Sequence, residues 1–159
     1  MKGRLEEDIG VLLNKLKLTI AVAESATGGL ISNLITDVPG SSNYFKGSVI
    51  SYDNEIKTNL LGVKRETLDK YGAVSYQTGK EMAEGCRKLM NADIGLSDTG
   101  IAGPTGATPG KSVGLFYIGL SSEHETQVEQ HLFHEDRIAN KQSAAEAALS
   151  MLKEYLLRK

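Results

Sequence analysis

Leu5, Ile9, Leu12, Leu13 and Leu16 recur at helical spacing, so the chain opens on a predicted amphipathic helix. The run LTIAVA over 18–23 is apolar without interruption and bounded by polar residues, the mark of a buried strand rather than a half-exposed one. Leu30, Leu34 and Ile35 then predict a helix that ends at Asp37-Val38-Pro39-Gly40. A strand over 46–52, a short helix over 54–61 closed by Gly62, a small helix near 66–70 and a longer helix over 75–90 follow. In that longer helix Met82, Cys86, Leu89 and Met90 fall on one stripe, read as core. Strands are expected over 94–99, 113–120 and 126–133, the last two forming a hairpin. A final helix carries Ala144, Ala148, Met151, Leu152 and Tyr155 on its apolar side. Helices between strands and at both ends predict an α/β fold with both sheet faces covered, and the hairpin makes the sheet mixed.

The 159 residues are the size of one ordinary domain, able to bury roughly 70% of the unfolded surface, so a single domain over 1–159 is expected. Cys86 is the lone cysteine, which excludes an internal disulfide. No apolar run approaches the length of a membrane span, and the charged N-terminal segment does not read as a secretory signal; a soluble, cytoplasmic protein without a membrane partner is expected. The formal net charge of -2, with both signs interleaved, argues against nucleic acid as the main partner. His124, His131 and His134 show no ligand spacing, so no metal is expected.

Three loops concentrate small and polar residues where strands end, the usual place of ligands in open α/β sheets. Glu24-Ser25-Ala26-Thr27-Gly28-Gly29 is a strand-to-helix turn that either presents N–H groups to an anion or simply caps a helix through Ser25 or Thr27. It lacks the lysine and the specificity of a phosphate-binding P-loop. The glycine-dense loop that begins Asp98-Thr99-Gly100-Ile101-Ala102-Gly103-Pro104 is either a surface against which a ligand lies or a mobile turn.

The third segment, PGSSNYFKGSVISYDNEIK, strings Ser42, Tyr52 and Lys57 around one strand with no histidine near. A serine hydroxyl needs a neighbour to take its proton, and a neutral lysine can do so. Lys57 falls near the start of a predicted helix, where the helix dipole and burial both disfavour an ammonium. Tyr52 would orient the amine or pass a proton. The alternatives are ordinary: Ser41 and Ser42 as caps, Glu55 balancing Lys57, and Tyr52 as a packing residue.

AESATGG, DVPGSSNYFKGSVISYDNEIKTNLLGV, YGAVS, TGIAGPTGATPGKSVGLFYIGL and EDR, in this order, closely resemble the CinA C-terminal family over nearly the whole chain. The resemblance implies a three-layer α/β/α sandwich with a mixed sheet, a homodimer, and cofactor-free hydrolysis of nicotinamide mononucleotide to nicotinate mononucleotide and ammonia. It assigns Ser42 as nucleophile, Lys57 as base and Tyr52 as assistant, and makes Ser25 and Thr99 substrate contacts rather than competing nucleophiles. It also implies substrate contacts from Thr27, Gly28 and Gly29, from Gly100, Ile101, Ala102 and Gly103, and from Arg137, whose fork suits a phosphate. The alternatives are a pyridine-nucleotide-binding module without turnover and a hydrolase of a different small amide.

The chain departs from the family pattern at Ala26, where many relatives have cysteine, at Glu135 before Asp136-Arg137, at Lys141 in place of an arginine, and at Gly110 and Ser112 in the long loop. None of these removes a proposed catalytic group. The family's other architecture has an additional N-terminal domain, whose activity is not expected of this chain.

Overall fold

The computed structural model describes residues 3–159. The chain runs α1 (Leu5–Leu16), β1 (Ile20–Glu24), α2 (Leu30–Thr36), a 3-10 turn (Ser41–Asn43), β2 (Phe45–Ile50), α3 (Asn54–Leu61), α4 (Arg65–Tyr71), α5 (Tyr76–Leu89), β3 (Ile94–Gly100), β4 (Leu115–Ser121), β5 (Thr126–Leu132) and α6 (Arg137–Leu157). The strands form one five-stranded sheet in the order β2-β1-β3-β4-β5. β2, β1 and β3 are parallel, whereas β4 and β5 are antiparallel to their neighbours, so the sheet is mixed as expected.

Side-chain alternation along the strands builds two unlike layers. Ile20 and Val22 of β1 join Leu96, Ile118 and Leu120 in a large aliphatic core with Ile9 and Leu13 of α1, Ile31 of α2, and Leu149 and Leu152 of α6. The intervening Ala21 and Ala23 meet Leu61 of α3 and Met82 and Cys86 of α5 on the opposite face. That second face is lined by small residues because α5 lies directly on the sheet: a Cβ at Gly119 would stand 2.6 Å from the Gly79 carbonyl oxygen. Ser97 of β3 donates to the same carbonyl at 2.7 Å.

The element ends shift by a few residues. Gly114 adopts φ 90°, which no extended strand residue takes, so β4 begins at Leu115 and Val113 stays in the loop. Tyr52 likewise falls past the end of β2. Leu89, expected in the α5 core stripe, is 52% exposed, whereas Met82 and Cys86 are buried against the sheet and Met90 packs against the same cluster. β1, β2 and β3 all end at one edge, where β4 begins and β5 leads into α6.

Candidate active site at the carboxyl edge of the sheet

The three parallel strands deliver three short segments to this edge: Glu24-Ser25 after β1, Ser51-Tyr52 after β2, and Thr99-Gly100 closing β3. Asp53 caps α3 by accepting the N–H of Glu55 at 2.7 Å, which starts the helix just beyond β2. Lys57 lies in the first turns of α3, and helical side chains lean back toward the N-terminus. Its Nζ therefore returns to the strand ends, 2.6 Å from the Ser51 carbonyl oxygen, 3.4 Å from that of Tyr52 and 3.1 Å from Ser25 Oγ.

Lys57 is only 1% exposed, and Ser25 is 9% exposed. Burial lowers the Lys57 pKa from its ordinary value, against the opposing pull of Asp98 and Asp53. A neutral amine has two hydrogens and one lone pair. The carbonyls of Ser51 and Tyr52 account for the hydrogens, which leaves the lone pair to accept the Ser25 hydroxyl proton. This is the arrangement in which an amine activates a serine.

The turn around Ser25 is held by two buried carboxyl groups. Glu24 Oε1 accepts the N–H groups of Gly29 and Ile31, and Oε2 accepts the N–H and hydroxyl of Ser32 at 3.0 and 2.6 Å. Asp98 accepts the N–H of Ser25 at 3.0 Å and that of Thr27 at 3.2 Å. Burial pushes the Asp98 carboxyl up to about 6; the Thr27 hydroxyl and the Ser25 N–H oppose this, and the charge of Glu24 adds to it. Gly28 and Gly29 take φ 61° and 106°, values that let the chain turn at once from β1 into α2.

The expected residues are not all brought together. Ser42 is exposed in the 3-10 turn before β2. The six residues of β2 separate it from the Lys57 edge by roughly 16 Å, so the Ser42–Lys57 pairing expected from the sequence is not formed, and Ser25 occupies that place. Tyr52 is 64% exposed, and its hydroxyl accepts from Arg137 Nη2 at 3.2 Å; only its backbone carbonyl meets Lys57. The Thr27 hydroxyl is buried between Glu24 and Asp98, and Thr99 is buried with its hydroxyl donating to the Ala73 carbonyl at 2.7 Å. Neither hydroxyl is presented as a substrate contact.

Arg137 follows Asp136, the cap of α6, and donates from Nη1 to the Gly103 carbonyl at 2.7 Å. Buried Asn140, one helical turn on, donates to the carbonyls of Ala102 and Glu135 and accepts the Glu135 N–H. It ties the glycine-rich loop to the start of α6, and nothing in the spacing of the sequence had marked it. Ala26 packs with Ala102, Phe116 and Ala144, a small residue in a tight apolar cluster. An open groove of about 460 Å³, lined in part by Gly28, Gly29, Ile138 and Lys141, adjoins a second of about 570 Å³ that includes Gly103 and Arg137. The two hollows share Ile138, which is 71% exposed, and together they bring Arg137 and Lys141 to the mouth of the Ser25 turn.

These features define a three-layer α/β domain with a mixed sheet and a buried serine–lysine pair at the carboxyl ends of its parallel strands. Residues 2–156 match the family described as CinA C-terminal domain, and the chain belongs to it. A protein of Thermoanaerobacter sp. (strain X514) named for competence and damage induction is 53% identical over 96% of this chain and 37% of its own length. A CinA-like protein of Leptospira borgpetersenii (strain L550) is 50% identical over 96% of this chain and 37% of its own length. The chain thus spans little more than a third of these curated relatives. The crystal structure of a competence/damage inducible protein from Agrobacterium tumefaciens superposes with a TM-score of 0.89 at 33% identity, covering 96% of this chain and 95% of that one. Among the described residues no helix is long and apolar enough to cross a membrane.

Proposed function

We propose that this chain hydrolyses a small carboxamide by acyl transfer, with Ser25 as nucleophile and Lys57 as general base. The observation that carries this reading is the 3.1 Å contact between Ser25 Oγ and the buried Lys57 Nζ. Lys57 takes the Ser25 proton as Oγ attacks the carboxamide carbon, and an oxyanion forms. The resulting ammonium returns the proton to the leaving nitrogen, ammonia departs, and water activated by the same amine cleaves the acyl-enzyme to a carboxylate and free Ser25. The family resemblance makes nicotinamide mononucleotide the substrate to test first. Arg137 and Lys141, both at the groove mouth, suit its phosphate. A homodimer belongs to the same reading.

The test is ammonia release from nicotinamide mononucleotide in a metal-chelating buffer by the unaltered chain, Ser25→Ala, Ser42→Ala and Lys57→Ala. Ser25→Ala and Lys57→Ala are expected to lose at least about a thousandfold in kcat/KM, and exposed Ser42→Ala to stay within about twofold. Full activity of Ser25→Ala sinks the nucleophile assignment. Nucleotide binding with no release by any form points instead to a binding module.

A further inference from the structure

The Thr27 hydroxyl oxygen lies 2.5 Å from Asp98 Oδ1 and 2.6 Å from Glu24 Oε1. Both carboxyl groups are wholly buried. A threonine hydroxyl has one hydrogen and can donate it to only one of these oxygens. If both carboxyls were ionised, the other short contact would join two oxygens with no hydrogen between them, in a place closed to bulk solvent. The geometry therefore requires a second proton, and it must sit on a carboxyl.

Glu24 is the better anion of the two. Besides Thr27 it has the N–H groups of Gly29, Ile31 and Ser32 and the Ser32 hydroxyl, all directed at its two oxygens. Asp98 has the N–H groups of Ser25 and Thr27. We propose that Asp98 stands as a carboxylic acid in a relay in which it donates to Thr27, Thr27 donates to Glu24, and one proton is held in common. Asp98 is then a positioning residue: it fixes the Ser25 turn through two backbone N–H groups and, at pH below its own folded pKa, withholds a counter-charge from Lys57. The charged groups that bear on it are Glu24 from β1 and Lys57 from α3, with Asp53 acting on Lys57 from the α3 cap. An ionised Asp98 favours the Lys57 ammonium; a neutral one leaves the amine as a base. This catalytic meaning rests on the Ser25–Lys57 reading, whereas the proton count does not.

The experiment compares thermal unfolding of the unaltered chain and Asp98→Asn across pH 4 to 8. Asparagine is close to a neutral acid in shape: with its amide nitrogen in the place of Oδ1 it donates to the Thr27 hydroxyl and its oxygen accepts the Thr27 N–H, the Ser25 N–H contact being lost equally at every pH, and it cannot ionise. A carboxyl whose pKa is raised on folding loses stability as pH rises from its unfolded to its folded value. The Tm of Asp98→Asn relative to the unaltered chain is therefore expected to climb from about pH 4 to about pH 6, levelling off only above Asp98's folded pKa. A merely structural role gives a difference that does not vary with pH, and a flat or falling difference overturns the proposal. As a readout free of substitution, the carboxyl carbon resonances of Glu24 and Asp98 are followed by NMR in the unaltered chain. One midpoint at about pH 6 or above is expected; both below that overturn the shared proton. Neither readout depends on turnover, so loss of the nucleophile assignment through an active Ser25→Ala would leave this result standing.

Discussion

Replacing Lys57 by methionine separates its chemistry from its packing. The two side chains are of similar length and the site is buried, so the stem is conserved while the amine and its contacts with Ser51, Tyr52 and Ser25 are lost. Leaving the Ser51 and Tyr52 carbonyls without that donor costs about 1–3 kcal/mol for each one that stays dry. Against this stands the cost the unaltered chain carries for its amine. Burial holds the Lys57 pKa below 10.5, so between the folded value and 10.5 the unfolded chain binds a proton that the native chain has released. The sign follows directly: the stability of the unaltered chain gains up to about 1.4 kcal/mol for each pH unit in that window, and methionine gains nothing.

For a chain of this size 1 kcal/mol moves Tm by about 2–4 °C. Thermal unfolding from pH 7 to 10.5 is therefore expected to show the unaltered chain pulling ahead of Lys57→Met by up to about 3–5 °C per pH unit once the amine is neutral in the fold. In the same range the kcat/KM of the unaltered chain should rise along an ascending limb set by the free amine, and Lys57→Arg, which cannot deprotonate, should be inactive throughout. A Tm gap that is constant with pH would mean that Lys57 keeps an ordinary pKa in the fold. An unaltered chain that loses ground to Lys57→Met as pH rises would mean that the ammonium is the favoured form, and a base role for Lys57 would be refuted.

Two further outcomes follow from the surrounding contacts. Asn140→Leu leaves the Ala102 and Glu135 carbonyls and the Glu135 N–H unpaired, and is expected to lose about 3 kcal/mol or more, a Tm fall of roughly 6–12 °C measured by thermal unfolding. Tyr52→Phe removes only an exposed hydroxyl that holds Arg137; it is expected to raise KM by less than about tenfold with kcat unchanged in steady-state kinetics, whereas a hundredfold loss of kcat would restore Tyr52 to the proton path.

The alternation of helices and strands is legible in the chain because burial imposes its period on the sequence. The run at 18–23 and the spacing of Leu5, Ile9 and Leu13 correspond closely to β1 and α1. Boundaries were less legible because backbone conformation, not hydrophobicity, decides them. Val113 is as apolar as its neighbours, yet Gly114 at φ 90° breaks the extended chain before it can join β4. Leu89 likewise has the right residue type on nearly the right stripe, but it is the last residue of α5 and its side chain turns out to solvent.

The site was legible in its parts and not in its pairing. The anomaly of an early-turn lysine beside an apolar strand was real, since Lys57 is buried and its amine depressed. The serine that lies beside it is not legible from closeness along the chain, a poor guide across a strand: Ser42 is nearer in sequence, but β2 carries it to the far edge, while the parallel register of Glu24 with Ile50 brings Ser25 beside Lys57. Once β1 and β2 are taken as parallel neighbours, the residue after one strand must meet the segment after the other, which is sufficient to choose Ser25. Asp98 carried a signal of its own, a carboxylate at the end of a strand that opens apolar, with no cation next to it in sequence. A group so placed must either find a buried partner or keep its proton. Here it finds Thr27 and, in the proposed relay, keeps its proton, and the Ser25 turn is built on the result.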